Sequence, residues 1–162
     1  MQSFPVSKND AFLIPAGTVH AIGAGILLAE IQQSSNLTYR LYDYNRTDAQ
    51  GNKRPLHIEK AVATVDYQQK PLPEQNRTVE QKDGYTEELL CACPYFQVTP
   101  AVAAAVSTTN AFAVLLCISG SGTMTAETGE TLAFQKGQCV FVPADTTVRE
   151  LSGTADLLWI IA

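Results

Sequence analysis

Apolar residues fall in short runs separated by polar, glycine- or proline-containing breaks, and several of these runs alternate with the period of a strand. Residues 11–15 form an apolar run that ends at Pro15-Ala16-Gly17, a turn signal. The stretches 25–32 (GILLAEIQ) and 38–44 (TYRLYDY) are the next predicted strands. In the second, Tyr39, Leu41 and Asp43 share one face, and Arg40, Tyr42 and Tyr44 share the other. After a polar loop over 45–55, residues 56–65 (LHIEKAVATV) predict the one helix. Leu56, Lys60 and Ala63 lie on one stripe, and Pro55 stands where a helix starts. Residues 68–85 are polar, carry Pro71 and Pro73, and read as a linker or long surface loop. Strands are expected again over 89–98, 112–118, 123–126, 131–134, 139–142 and 155–161. Turns are expected at Gly120-Ser121-Gly122, read as a hairpin, at Thr128-Gly129 and at Lys136-Gly137. Such spacing predicts a closed or sandwiched all-β architecture.

The two ends of the chain resemble one another. Residues 8–20 read KNDAFLIPAGTVH and residues 136–148 read KGQCVFVPADTTV. Each copy has a lysine, a turn residue, an apolar strand, a Pro-Ala turn and a threonine. Two in-register copies suggest two related β units, the first carrying His20 where the second carries Val148.

Composition narrows the classes. Hydrophobic residues make up 46% and charged residues 17%, enough to bury a core in one domain or in two small β units. The net charge of −5 argues against a nucleic-acid partner, which calls for a basic stripe. No run approaches the roughly 18 apolar residues of a membrane helix, and the first ten residues lack the apolar core of a signal peptide. Of the four cysteines, Cys117 and Cys139 sit in apolar runs and are expected to be buried free thiols. Cys91 and Cys93 share a strand face, where a disulfide is not expected. Together these features predict a reducing, cytoplasmic setting, in which the sequons at Asn36, Asn45 and Asn76 are chance matches.

The candidate chemistry centres on His20, Glu30 and Arg40. The spacing Asn9, Pro15, Gly17, His20 resembles the second cupin motif, in which a histidine after a tight turn binds a metal. Asn9 replaces the motif's first glycine, a mild departure because asparagine tolerates the left-handed conformation. Ala24 stands where the motif has a later asparagine. Without the motif, a lone histidine after a turn is more often a surface or core residue. Arg40 has the alternative of an ion pair with Asp43 or Glu30, and Glu30 that of an exposed strand carboxylate. His57 reads as a helix residue with a structural hydrogen bond. Lys53 and Lys60 read as solvated charges able to steer an anion.

The stretch FLIPAGTVHAIGAGILLAEIQQSSNLTYRLYDYNR, followed by RPLHIEKA, is similar to the central signature of type I mannose-6-phosphate isomerases, with LLCACPYF resembling their C-terminal domain more weakly. The resemblance implies a cupin, or double-stranded β-helix (jelly-roll), with one short helix and a partial first barrel. It places the end of a metal-binding cupin and a connecting helix over 1–67, a linker over 68–87 and a second cupin-like barrel over 88–162. It implies a Zn²⁺ site in which His20 is the last ligand, Glu30 an acid–base group and Arg40 a catalytic arginine, acting on mannose 6-phosphate and fructose 6-phosphate. The family's earlier Gln-x-His segment and glutamate have no counterpart, since His20 and His57 are the only histidines. Catalytic zinc needs about three protein ligands. The expectations are therefore an isolated chain of weak or no activity, and a homo-oligomer or a complex with a chain carrying the missing half. The alternatives are an inactive sugar-phosphate-binding module or a truncated relic.

Overall fold

The computed structural model describes residues 2–69, 78–82, 85–101, 106–108 and 110–162, so Pro71, Pro73 and Asn76 lie outside the described residues. The chain divides into two compact units, Met1–Leu13 with Leu72–Ala162, and Ile14–Pro71. Among the described residues no helix is long and apolar enough to cross a membrane.

The first unit is built on antiparallel strands. A two-stranded sheet pairs β1 (Thr78–Lys82) with β2 (Tyr85–Leu89), so part of the predicted linker is strand. A second sheet holds β3 (Cys91–Cys93), β4 (Phe96–Pro100), β5 (Val106–Ser107), β6 (Ala113–Ala126), β7 (Thr131–Gln135), β8 (Cys139–Val142) and β9 (Thr147–Ile161). The long strands β6 and β9 pair along most of their length. The start of β6 pairs with β8 and its end with β7. The start of β9 pairs with β5 and its end with β4. Each long strand therefore belongs to two sets of neighbours, which is how one sheet rolls over a core. A register shift between Cys117 and Ser119 marks the bend.

Period-two burial fixes which face turns inward. Ala113, Leu115 and Cys117 of β6, Val140 and Val142 of β8, and Leu157 and Trp159 of β9 are all buried, together with Phe134, Val148 and Leu151. Each large apolar side chain taken out of water contributes roughly 1.5–3 kcal/mol. Cys139 is the correction here: β8 alternates exposed and buried from its first residue, so Cys139 faces solvent while Cys117 is buried.

The predicted strand over 89–98 is a hairpin, with Pro94 and Tyr95 in the turn between β3 and β4. The predicted hairpin at Gly120-Ser121-Gly122 is instead the middle of β6. A Cβ on Gly120 would fall 1.9 Å from Thr154 O, and one on Gly122 would fall 2.0 Å from Ser152 O. These glycines let two backbones come close and do not reverse the chain.

The terminal repeat is real at the level of backbone geometry. Asn9 and Gly137 are both left-handed (φ 73° and 84°), as are Gly17 and Asp145 (φ 86° and 58°). The Ser7 N–H donates to the Asp10 carboxylate at 2.8 Å, and the Asp10 N–H returns to Ser7 O at 3.2 Å. Gln135 and Gln138 repeat the exchange at 2.9 and 3.0 Å.

Candidate functional site

The second unit, Ile14–Pro71, carries the residues singled out for chemistry. Its helix α1 (Ile58–Thr64) falls inside the predicted span. The predicted strands over 25–32 and 38–44 are not strands among the described residues. Alternation marks a face that suits burial, but a ladder also needs a neighbour to bond to. Backbone bonds tie this region at single points, such as Asp66 N–H to Gly17 O at 3.0 Å and His57 N–H to Arg40 O at 2.8 Å.

His20 follows a tight turn in which the Thr18 N–H donates to Pro15 O at 3.2 Å. Gly17 is needed there twice over. Its φ is +86°, and an added Cβ would press on Asp66 N and Thr64 O at 3.1 Å. The Thr18 hydroxyl is bonded to the Gln69 side chain. The His20 ring is exposed, with Nδ1 3.0 Å from Thr18 O. A carbonyl can only accept, so Nδ1 carries the proton in the neutral ring and Nε2 keeps a free lone pair. This is the arrangement that prepares an imidazole to ligate a metal.

Arg40 is held at both ends. Its backbone N–H donates to His57 Nδ1 at 3.2 Å, and its carbonyl accepts from the His57 N–H at 2.8 Å. His57 also stands at the N-cap position of α1, its carbonyl accepting from the Ala61 N–H at 2.8 Å, so the helix start fixes the arginine's backbone. The guanidinium, mostly buried, reaches Pro55 O through Nη1 at 3.3 Å and lies with Nε 3.9 Å from Asp43 Oδ1. The ion pair weighed for Arg40 thus forms with Asp43.

Asp43, expected only as a partner of Arg40, is the centre of a larger cluster. It is 6% exposed and also accepts from Arg46 Nη2 at 2.9 Å and Arg54 Nε at 2.8 Å, with a further contact to Arg54 Nη2. The hydrogen bond from Arg54 is the largest influence holding its carboxyl below the ordinary 3.8, with both guanidinium charges adding to it. A turn brings these groups together. Tyr44 and Asn45 are left-handed (φ 53° and 54°), and the Arg46 N–H donates to Asp43 O at 2.9 Å. The Arg46 guanidinium lies 5.6 Å from the Tyr44 ring centroid.

Glu30 is exposed, and among the described residues it is not the carboxylate paired with Arg40. Lys53 Nζ donates to Asn45 Oδ1 at 3.1 Å, and Lys60 is exposed. A zinc ion does not fit the residues at hand. Among the described residues no group of three or more His, Cys, Asp or Glu side chains is placed to hold a metal, and His20 alone falls short of the ligands zinc needs.

The comparisons with known proteins follow from both units. Residues 87–161 match the model of the family described as mannose-6-phosphate isomerase, cupin domain. The mannose-6-phosphate isomerase ManA of Bacillus subtilis is 36% identical over 94% of this chain and 49% of its own length. The mannose-6-phosphate isomerase of Streptococcus mutans is 32% identical over 98% of this chain and 50% of its own length. The chain thus spans about half the length of the curated relatives it matches. The crystal structure of the Bacillus subtilis mannose 6-phosphate isomerase superposes with a TM-score of 0.61 at 28% identity, covering 75% of this chain and 39% of that one. The rolled antiparallel sheet is accordingly a cupin jelly-roll.

Proposed function

We propose, since this chain belongs to the mannose-6-phosphate isomerase family, that it serves the interconversion of mannose 6-phosphate and fructose 6-phosphate. In this reading it contributes His20, Glu30 and Arg40 to a site whose further metal ligands are not found among the described residues. The observation that supports this most is the His20 ring, exposed and with Nδ1 engaged at 3.0 Å by Thr18 O, so that Nε2 is free to bind.

The reaction moves a proton between C1 and C2 through an enediolate, whose charge needs a fixed positive partner. Arg40 supplies one: His57 holds its backbone, and Pro55 O and Asp43 lie against its guanidinium. Its guanidinium suits either the enediolate oxygens or the phosphate. Glu30, an exposed carboxylate, is the group for the proton.

A second reading is a sugar-phosphate-binding module without turnover. The absence of a three-residue metal group among the described residues favours it. Both readings meet in one experiment, in which mannose 6-phosphate is titrated into the chain and followed by amide NMR, with fructose 6-phosphate formation read by a coupled assay with Zn²⁺ added. Binding is expected that weakens in Arg40→Ala, with turnover at the blank level. Zinc-dependent turnover lost in His20→Ala would show that the chain holds a working site by itself. Absence of any sugar-phosphate binding would refute both readings.

A further inference from the structure

The thiols of Cys91 and Cys93 lie on one face of β3, the strand at the end of the sheet order, with Ala92 exposed between them. Both thiols are free and half-buried, and their partners across β4 are Val98 and Phe96. Two residues along a strand are separated by about 6.4–6.8 Å, and their side chains stand parallel. A disulfide needs Cβ atoms about 3.8 Å apart, so this backbone does not allow one without bending.

A bridging ion has a different requirement. Two metal–sulfur bonds of about 2.3 Å span about 4.6 Å end to end. Parallel thiols on this strand reach that span when each leans inward by roughly 1 Å. Among the described residues no third His, Cys, Asp or Glu joins the pair. Zinc, which takes four ligands, is therefore poorly served, while thiolate softness selects an ion of the Cu(I) kind that is content with two.

We propose that Cys91 and Cys93 form a two-coordinate site for a soft monovalent d¹⁰ cation, Cu(I) being the type. The site belongs to the first unit, the residues assigned to sugar-phosphate chemistry belong to the second, and the proposal does not rest on that assignment. Binding exchanges two S–H protons for the ion and moves no electrons.

The test is an anaerobic titration in which the chain competes for Cu(I) with a chromophoric chelator. The wild-type chain is expected to withdraw one equivalent, as is Cys139→Ser, which removes the exposed thiol. Cys91→Ser and Cys93→Ser are each expected to withdraw none. Alkylation of the wild-type chain, independent of any variant's folding, should show Cys91 and Cys93 protected together when the ion is present. Uptake that survives either single replacement, no uptake by the wild type, or a Cys91–Cys93 disulfide on mild oxidation would each overturn the proposal.

Discussion

Replacing Gly122 by alanine separates two descriptions of the same residues. In β6, Gly122 faces Phe134 of β7 on one side and Gly153 of β9 on the other. A Cβ at this position would lie 2.0 Å from Ser152 O and 2.9 Å from Phe134 Cζ, where real contacts stay beyond 3.0 Å. The strands β6 and β9 must then part by about an ångström. The obstacle is a backbone carbonyl, which cannot swing aside as a side-chain tip can. Overpacking typically costs about 1–3 kcal/mol, and a backbone obstacle puts Gly122→Ala near about 3 kcal/mol. For a chain of this length that lowers Tm by roughly 6–12 °C. Gly122 is not among the left-handed glycines, so backbone strain adds nothing. At the same backbone angles in an exposed turn, with no neighbouring strand, alanine would instead stabilise by about 0.4–1 kcal/mol through the unfolded chain. The sign of the change therefore decides. Thermal unfolding followed by the fluorescence of Trp159, the single tryptophan and 2% exposed, reads it directly. A Tm equal to or above that of the wild type would refute the close crossing of β6 and β9.

Native-state thiol labelling should modify Cys139 first and Cys117 only on unfolding, because Cys117 is buried and burial pushes its thiol up; early labelling of Cys117 by peptide mass mapping would contradict the core assignment. Asp43, Asp48 and Asp156 all have folded pKa values below the ordinary 3.8, so their contribution is complete above that value and is lost as pH falls through the folded pKa. Urea titrations below about pH 5 should show stability falling with pH, and less steeply in Asp43→Asn; an unchanged slope would dissociate Asp43 from the acid limb. Thr108, 2% exposed, accepts from the Thr146 N–H at 3.0 Å and donates towards Pro143 O at 2.8 Å. Thr108→Val should cost about 1–3 kcal/mol in urea unfolding and Thr108→Ser much less, whereas equal losses would assign the effect to packing.

Where a local signal was sufficient, the sequence could be read directly. Pro55 and the helix formers after it mark α1, and β7 and β8 fall on their predicted runs between glycine turns. Pro94 carried a turn signal that the apolar run around it concealed, so a hairpin looked like one strand. The failures arise where a distant partner decides. Gly120 and Gly122 mark a turn in most strands, and only the approach of Thr154 and Ser152 from β9 gives them another role. The first half of β9 is polar on its solvent side and holds Gly153, so only 155–161 is expected as strand, and the ladder with β6 extends it back to Thr147. At the candidate site, the spacing of Arg40 and Asp43 made an ion pair foreseeable. The bond from Arg54, eleven positions further on, depends on how the 43–54 loop closes, and no periodic pattern reports that.

The terminal repeat separates what a local sequence determines from what its neighbours determine. Both copies fold the same turns, with the same left-handed positions and the same exchange of hydrogen bonds between Ser7 and Asp10 and between Gln135 and Gln138. Turn chemistry therefore needs nothing beyond its own few residues. The apolar runs that follow differ. Residues 139–142 form β8 because β6 supplies a ladder, while residues 11–14 are not strand among the described residues. The same contrast reaches the last position of the repeat. Val148 is 1% exposed and completes a core, where an imidazole would lose its access to a ligand and incur the cost of burying a polar ring. His20 is exposed, with its tautomer set by Thr18. Only the copy whose final side chain is not needed for packing can place chemistry there. That divides the repeat into a structural copy and a copy available for function.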